Sequence, residues 1–468
     1  MTSLNKQPLL TEAEEDSDVD DFLDNGYSDD THKNSDKEGA DQELAPFNQN
    51  VPADKFNFTY LVFYLLGMAT LLPWNFFLTA EDYWMYKFRN VSDNSSTASL
   101  TPMQRNFTSD MSIAASVAGT IFLILNAIYS YKVPLKLRMV GSMLGVLILF
   151  LINTSLVEVN TDGWQKLFFT ITMAIVVIIN SFAATLTGGL FGVAGLFPSE
   201  YMTAVVSGQA LGGIFSSLAL IVALTFGASA KSTAFFYFCM GNIVIVISMI
   251  TYGVMSKTLF FKYYAYDDRK SDLSQSQEAL TEVVRDNQVP CFPHVFRKIY
   301  LYAVAECFVF AFTISVYPAV TQLVQSQYHG NGHPWNDLYF TPVVNYLTFN
   351  SGDYLGRILA GLFEWPKNRP HLILLLTTIR IGFIPVLMMA NNIAHTFLPV
   401  LIHSDLVFIA LMITFSISNG YLANIALIMA PKAVMHHEKE MASSIMAACL
   451  SFGLTFGASI SLVLVHLL

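Results

Sequence analysis

The sequence predicts an all-α integral membrane protein with eleven transmembrane helices, and three observations carry that prediction. Of 468 residues, 53% are hydrophobic and only 13% are charged, with a mean hydropathy of +0.47. The apolar residues gather in runs long enough to cross a ~30 Å hydrocarbon core at roughly 1.5 Å per helical residue. Basic residues are concentrated in alternate loops between those runs.

The runs are 56–78, 111–131, 137–157, 167–188, 202–226, 233–255, 299–321, 338–363, 372–390, 405–429 and 442–468. The first must act as its own insertion signal, because residues 1–55 are polar and acidic and hold no cleavable signal peptide. Inside it Pro73 lacks a backbone N–H, frees a carbonyl and bends the helix. Trp74 and Asn75 stand at that bend, Trp74 as an interface anchor or as a pocket wall. Glycine-rich stretches at 188–195 and 207–213 read as small-residue surfaces for close helix packing. Gly208 and Gln209 are set apart as candidates to line a cavity, a bare backbone beside an amide. The charged stretch 256–298 holds seven basic and six acidic residues and reads as a flexible cytosolic linker. It divides the helices into 56–255 and 299–468, six and five, a layout suited to two bundles rocking about a midplane site.

The eighth run, LYFTPVVNYLTFNSGDYLGRILAGLF, has ionisable groups at its middle. Asp353 and Arg357 are one helical turn apart, and Asn350 lies on the same face. Each such group at membrane depth costs ~2.5–3.5 kcal/mol on insertion scales, so it faces a partner or a wet cavity. Two readings stay open: an ion pair that locks helices together, or a polar face that holds a solute in transit.

Orientation follows from Lys and Arg. With the tail in the cytosol, cytosolic loops collect 14 basic residues and the opposite loops five. Three sequons, at Asn90, Asn94 and Asn106, fall in the loop 79–110 and favour an extracellular or lumenal position. The carboxyl end is then outside. Net charge is −10, but residues 1–55 alone hold 15 acids against four lysines, so the acidity describes a solvated tail. No GxxxxGK[ST] loop, metal-ligand spacing or nucleophile–base pairing occurs, which argues against a pump, an enzyme or a bound cofactor. The four cysteines show no CxxC pair. A nucleic-acid partner has no basic patch to meet.

Beyond these features, PWNFF (73–77), INSFAATLTGGLFGVAGLFP (179–198), SGQ (207–209), YPAV (317–320), FNSGDYLGR (349–357), SNGYLA (418–423) and APK (430–432) resemble the equilibrative nucleoside transporters, solute carrier family 29. The resemblance covers about residues 56–468. It implies eleven helices in a six-plus-five, major-facilitator-like arrangement and facilitative movement of nucleosides such as adenosine and uridine by alternating access. It also implies roles. Trp74 and Leu78 would line the central cavity and its outer constriction, which Tyr317 and Pro318 complete. Asn350, Asp353 and Arg357 would face the ribose, with Tyr346 one turn above, and Leu454 would contact the base. Arg138 and Glu440 would form a cytosolic pair that holds the outward-facing state closed. A neutral nucleoside suits such a site, since aromatic walls stack on its base while a carboxylate accepts from ribose hydroxyls and a guanidinium donates.

One position departs from that pattern. Thr187 stands where plasma-membrane members carry a glutamine that reads the base, and a hydroxyl offers one donor instead of two. This position, AEDYWMYKFRN (80–90) and the acidic tail look more like the endolysosomal branch. QPLL (7–10) followed by acids resembles a dileucine sorting signal for adaptors, with Leu9 and Leu10 as its core, although Asn5 stands where an acid is usual. The late endosome or lysosome and the plasma membrane are the two expected locations. Two further readings are a proton-coupled or pH-activated exporter of nucleosides and nucleobases, using Asp353 and Glu306, and a receptor without transport.

Overall fold

The computed structural model describes residues 52–91, 101–129, 132–226, 229–265, 291–391 and 399–467. Leu9, Leu10 and Asn94 lie outside them. The helices are α1 (Phe58–Thr79), α2 (Glu81–Lys87), α3 (Pro102–Tyr129), α4 (Ser142–Glu158), α5 (Gln165–Ala194), α6 (Ser199–Phe226) and α7 (Ala230–Met255). They continue with α8 (Leu259–Ala265), α9 (Phe292–Val316), α10 (Thr348–Phe363), α11 (Pro370–Ile379), α12 (Phe383–Met388), α13 (Asp405–Lys432) and α14 (Lys439–Leu467). Among the described residues the regular elements are helical, apart from an isolated bridge between Ala390 and Ile402.

Ten helical stretches among these residues are long and apolar enough to cross a membrane, and they coincide with ten of the eleven expected runs. The eighth run differs. Its regular helix, α10, has 16 residues and is preceded by wide π turns over Trp335–Tyr339 and Thr341–Leu347. The ninth is interrupted by a tight turn at Arg380–Gly382, between α11 and α12.

Residues 79–91 and 101–110 hold more helix than the expected glycosylated loop. Helix α2 fastens to the end of α4, where Lys87 Nζ donates to the Val159 carbonyl at 2.6 Å with the Tyr83 and Phe168 rings beside it. Trp84 Nε1 donates back to the Phe77 carbonyl at 3.0 Å. Asn90 is exposed at the end of this fold, whereas Asn106 falls within α3, which begins at Pro102. The linker is likewise shorter than 256–298, because α8 and the first turns of α9 take up both of its ends.

Buried apolar side chains form three clusters, and their division matters. One lies at the linker end and draws on both halves: Phe63, Leu190 and Tyr201 from before the linker, and Ile299, Ile425, Met441 and Ile445 from after it. The other two lie away from the linker, one per half. Leu72, Phe76, Phe77, Trp84, Phe150 and Phe238 make the first; Val316, Phe340, Phe349, Phe408 and Phe415 make the second. The core is therefore joined at the linker end and parted at the far end.

Candidate functional site

Small residues bring the site's helices together. On α10, Gly352 and Gly356 are four apart; a Cβ on Gly352 would strike Ser416 Oγ, and one on Gly356 the Ile417 carbonyl, both on α13. Gly420 of α13 returns the contact against the Asp353 carbonyl. Backbones approach this closely only where side chains are missing, and the approach carries Asn419 of α13 to the acid on α10.

Asp353 Oδ2 accepts from Arg357 Nε at 2.8 Å, and its Oδ1 accepts from Asn419 Nδ2 at 2.7 Å. A terminal nitrogen of Arg357 donates to the Val206 carbonyl of α6 at 2.6 Å. Asn424 braces the same turn, donating to the Arg357 carbonyl at 2.6 Å and to Thr203 Oγ1 at 3.1 Å. Asp353 and Arg357 are only 5% and 7% exposed. Of the two surroundings expected, a partner or a wet cavity, the structure shows protein partners for both ions, which offset the cost of holding them in a low dielectric. The pair locks α10 to α6 and α13. Asn350, further along the same face, is half-buried and donates to Ser217 Oγ at 3.0 Å and to the Gly213 carbonyl at 3.3 Å.

The remaining candidate positions are distributed around this centre. Trp74 and Leu78 border the far-end cluster of the first half, and Tyr317 borders that of the second. The expected outer constriction is thus drawn from opposite sides of the parted core. Helix α9 stops at Val316, so Tyr317 and Pro318 begin the chain beyond it; the Tyr317 ring stacks on Phe349 with centroids 3.7 Å apart. The Tyr346 hydroxyl, in the π segment, donates to Gln322 Oε1 at 2.9 Å. Thr187 directs its hydroxyl proton to the Ala183 carbonyl of its own helix at 2.8 Å, leaving only lone pairs for a ligand. Leu454 packs at the edge of the shared cluster. Gly208 is a correction: it is buried, with its bare face against the Tyr64 carbonyl of α1, and serves helix packing instead of lining a cavity. Gln209 beside it donates to Thr70 Oγ1 at 3.1 Å, also on α1.

At the linker end Arg138 and Glu440 are hydrogen-bonded, joining the start of the α4 segment to the start of α14. The arginine is the more enclosed, its side chain 4% exposed against 32% for the acid. Arg138 Nε also donates to the Val133 carbonyl at 3.2 Å. A second bridge runs beside it, in which Glu364 accepts from Lys432 at 2.8 Å and from Ser199 at 2.5 Å. Burial alone would raise the Glu364 carboxyl, but hydrogen bonds from Lys432 and Ser199 outweigh it and hold the group below its ordinary value of 4.5. A depressed carboxyl stabilises the folded chain above that ordinary value and loses the contribution as pH falls through the folded one. The melting midpoint of the purified protein is therefore expected to fall as pH drops below about 4.5, and Glu364→Gln should reduce that slope. An unchanged slope in the variant would remove Glu364 from the account.

Buried charges outside the eighth run include Arg380, to which sequence reasoning gave no role, and Glu306, which it named as a candidate proton carrier. Arg380 is 3% exposed and donates to Thr313 Oγ1 at 3.0 Å and Ser418 Oγ at 3.1 Å. Thr313 and Asn419 stand between it and Asp353. Glu306 on α9 is fully buried, and neither of its carboxyl oxygens has a hydrogen-bond partner among the described residues. Its charge within an apolar run is the signal that sequence offers.

A polytopic helical bundle whose halves are tied by buried charges has the build of a solute carrier. Residues 173–466 match the family model described as nucleoside transporter. Equilibrative nucleoside transporter 1 of Rattus norvegicus is 35% identical over 450 residues, covering 88% of this chain and 98% of the relative. Equilibrative nucleoside transporter 2 of Mus musculus is 34% identical, with 88% and 98% covered. Equilibrative nucleoside transporter 3 of Rattus norvegicus is 28% identical, with 89% and 90% covered. The chain belongs to the equilibrative nucleoside transporter family. These three relatives do not single out the type 3 branch that Thr187 and the tail suggested. Among solved structures it is similar to the proton:xylose symporter XylE, at 10% identity and a TM-score of 0.49 over 86% of each chain. It is also similar to the outward conformation of FucP, at 14% identity and 0.48, with 88% and 96% covered.

Proposed function

We propose that this protein moves nucleosides such as adenosine and uridine down their gradients by alternating access. Eleven spans in a six-plus-five, major-facilitator-like arrangement would carry the motion, with the amino terminus cytosolic. The observation that carries this reading is the core, joined at the linker end and parted at the far end with a charged tie between. That arrangement suits a carrier resting open to the far side. The base would stack among Trp74, Leu78, Tyr317 and Leu454, with Thr187 contributing an acceptor. The ribose would meet Asn350, Tyr346 and the acceptor capacity left on Asp353, since an ionised carboxylate offers about four lone-pair sites and two are used here. Reconstituted in liposomes, the protein should give saturable, ATP-independent adenosine and uridine flux, equal in both directions. Binding without countertransport of labelled nucleoside would refute the proposal.

Glu306 favours a second reading, in which protons take part. A buried carboxyl without a hydrogen-bond partner among the described residues is costly to the fold and gains a use if another conformation hydrates it. Flux driven uphill by an imposed pH gradient and abolished by a protonophore would support coupling. Flux that only equilibrates would dismiss it.

Asn90, Asn94 and Asn106 are proposed glycan acceptors, with Asn90 the best presented. Leu9 and Leu10 are proposed to address the protein to late endosomes or lysosomes through sorting adaptors. Changing both to Ala should raise the surface-biotinylated fraction, and no change would leave the tail without that role.

A further inference from the structure

Five consecutive hydrogen bonds run from Arg380 to the Val206 carbonyl across five helical segments. Arg380 donates to Thr313 Oγ1 at 3.0 Å, Thr313 Oγ1 donates to Asn419 Oδ1 at 2.7 Å, and Asn419 Nδ2 donates to Asp353 Oδ1 at 2.7 Å. Arg357 then bonds Asp353 and the Val206 carbonyl. The direction of the first three bonds is dictated by chemistry. A guanidinium has donors only, so Thr313 must accept from it and is left with a single proton to give. That proton goes to an amide oxygen, which turns the amide nitrogen of Asn419 toward the carboxylate. With the amide reversed, an oxygen would face Asp353 and repel it.

Arg380 is itself held in place. Its guanidinium also donates to Ser418 Oγ at 3.1 Å, the Phe415 carbonyl at 3.2 Å and the Val309 carbonyl at 3.3 Å, and lies 5.1 Å from the Phe415 ring centroid. A rigid cation thus sets a hydroxyl, the hydroxyl sets an amide, and the amide sets the carboxylate. Each Asp353 oxygen then has one acceptor site committed to protein.

We propose that Arg380, Thr313 and Asn419 are positioning residues that aim the free lone pairs of Asp353, and so set the preference for ribose over deoxyribose in the transported solute. This rests on the reading that Asp353 accepts from ribose hydroxyls. Thr313 is the place to test it, because valine has the same shape and lacks the hydroxyl. In liposomes containing the full-length chain, uptake of uridine would be compared with that of 2′-deoxyuridine and 3′-deoxyuridine. Thr313→Val should raise the half-saturation concentration for uridine about tenfold, the loss of roughly one charge-assisted hydrogen bond. It should leave at least one deoxy analogue nearly unchanged, and Thr313→Ser should restore the wild-type ratio.

A merely structural threonine would lower functional protein and scale all three substrates alike; that outcome, or an unaltered ratio, overturns the inference. If the valine protein does not reconstitute, Thr313→Ala with the same substrate ratio serves in its place. Asp353→Asn separates the two layers of the argument. If it leaves the ratio intact, the ribose reading of Asp353 has failed; if it collapses the ratio while Thr313→Val does not, only the positioning chain has failed.

Discussion

Arg357→Ala is expected to abolish uptake and to lower the melting midpoint of the purified protein. Among the described residues, the substitution leaves the Asp353 carboxylate with Asn419 as its sole hydrogen-bond partner and deprives the Val206 carbonyl of the Arg357 donor. Removing one member of a buried pair costs about 3–5 kcal/mol, because the surviving ion stays desolvated. One tie between α10 and α6 goes with it, leaving those that Asn350 makes to Gly213 and Ser217, and these helices belong to opposite halves. Arg357→Lys should be intermediate: an ammonium keeps the charge but cannot reproduce the planar fork that serves Asp353 and Val206 together. Uptake per mole of inserted protein, measured beside thermal unfolding, tests both parts. Normal transport by the alanine protein would mean that neither the charge nor the tie is needed for the cycle.

Reversing the linker-end pair should have the next largest effect. Arg138→Glu sets a second carboxylate against Glu440, where the side-chain position is nearly closed to water. Like charges at contact in a partly buried site repel by more than the ~1 kcal/mol typical of exposed pairs. Uptake is expected to fall about tenfold, since each 1.4 kcal/mol in the closure equilibrium is a factor of ten. Adding Glu440→Arg should recover part of it. Recovery stays incomplete because the Arg138 side chain also donates to the Val133 carbonyl, which a glutamate cannot do. Failure of the double variant to improve on Arg138→Glu, at equal abundance, would show that the pair does not act as a unit.

Much of the fold was legible because bilayer thickness imposes a length on every span and hydropathy records it. The exception is instructive. The eighth run is helical throughout 334–363, but its first turns are wide and Asn345, Asn350, Asp353 and Arg357 dilute its apolar character; such turns leave no periodic signature in a short sequence. Asp353 and Arg357 could be paired from their spacing alone, four residues being one turn. Their other partners could not. Asn419 and Thr313 are single polar residues in apolar helices, and their meeting depends on how α9, α10 and α13 rotate against one another. Gly208 was misjudged for a related reason, since a missing side chain looks the same beside a cavity and beside a neighbouring backbone. Arg138 and Glu440 lie 302 positions apart, and only family resemblance could join them.

The three-cluster core has a pharmacological consequence. A molecule too bulky to be carried could still enter from the far side, where the buried apolar clusters of the two halves are separate among the described residues, and wedge there without crossing the bilayer. From the linker side the same molecule would meet a continuous wall of packed side chains. Blockers of this protein should therefore show sidedness, acting at once when applied to one face of a sealed vesicle and slowly or never from the other.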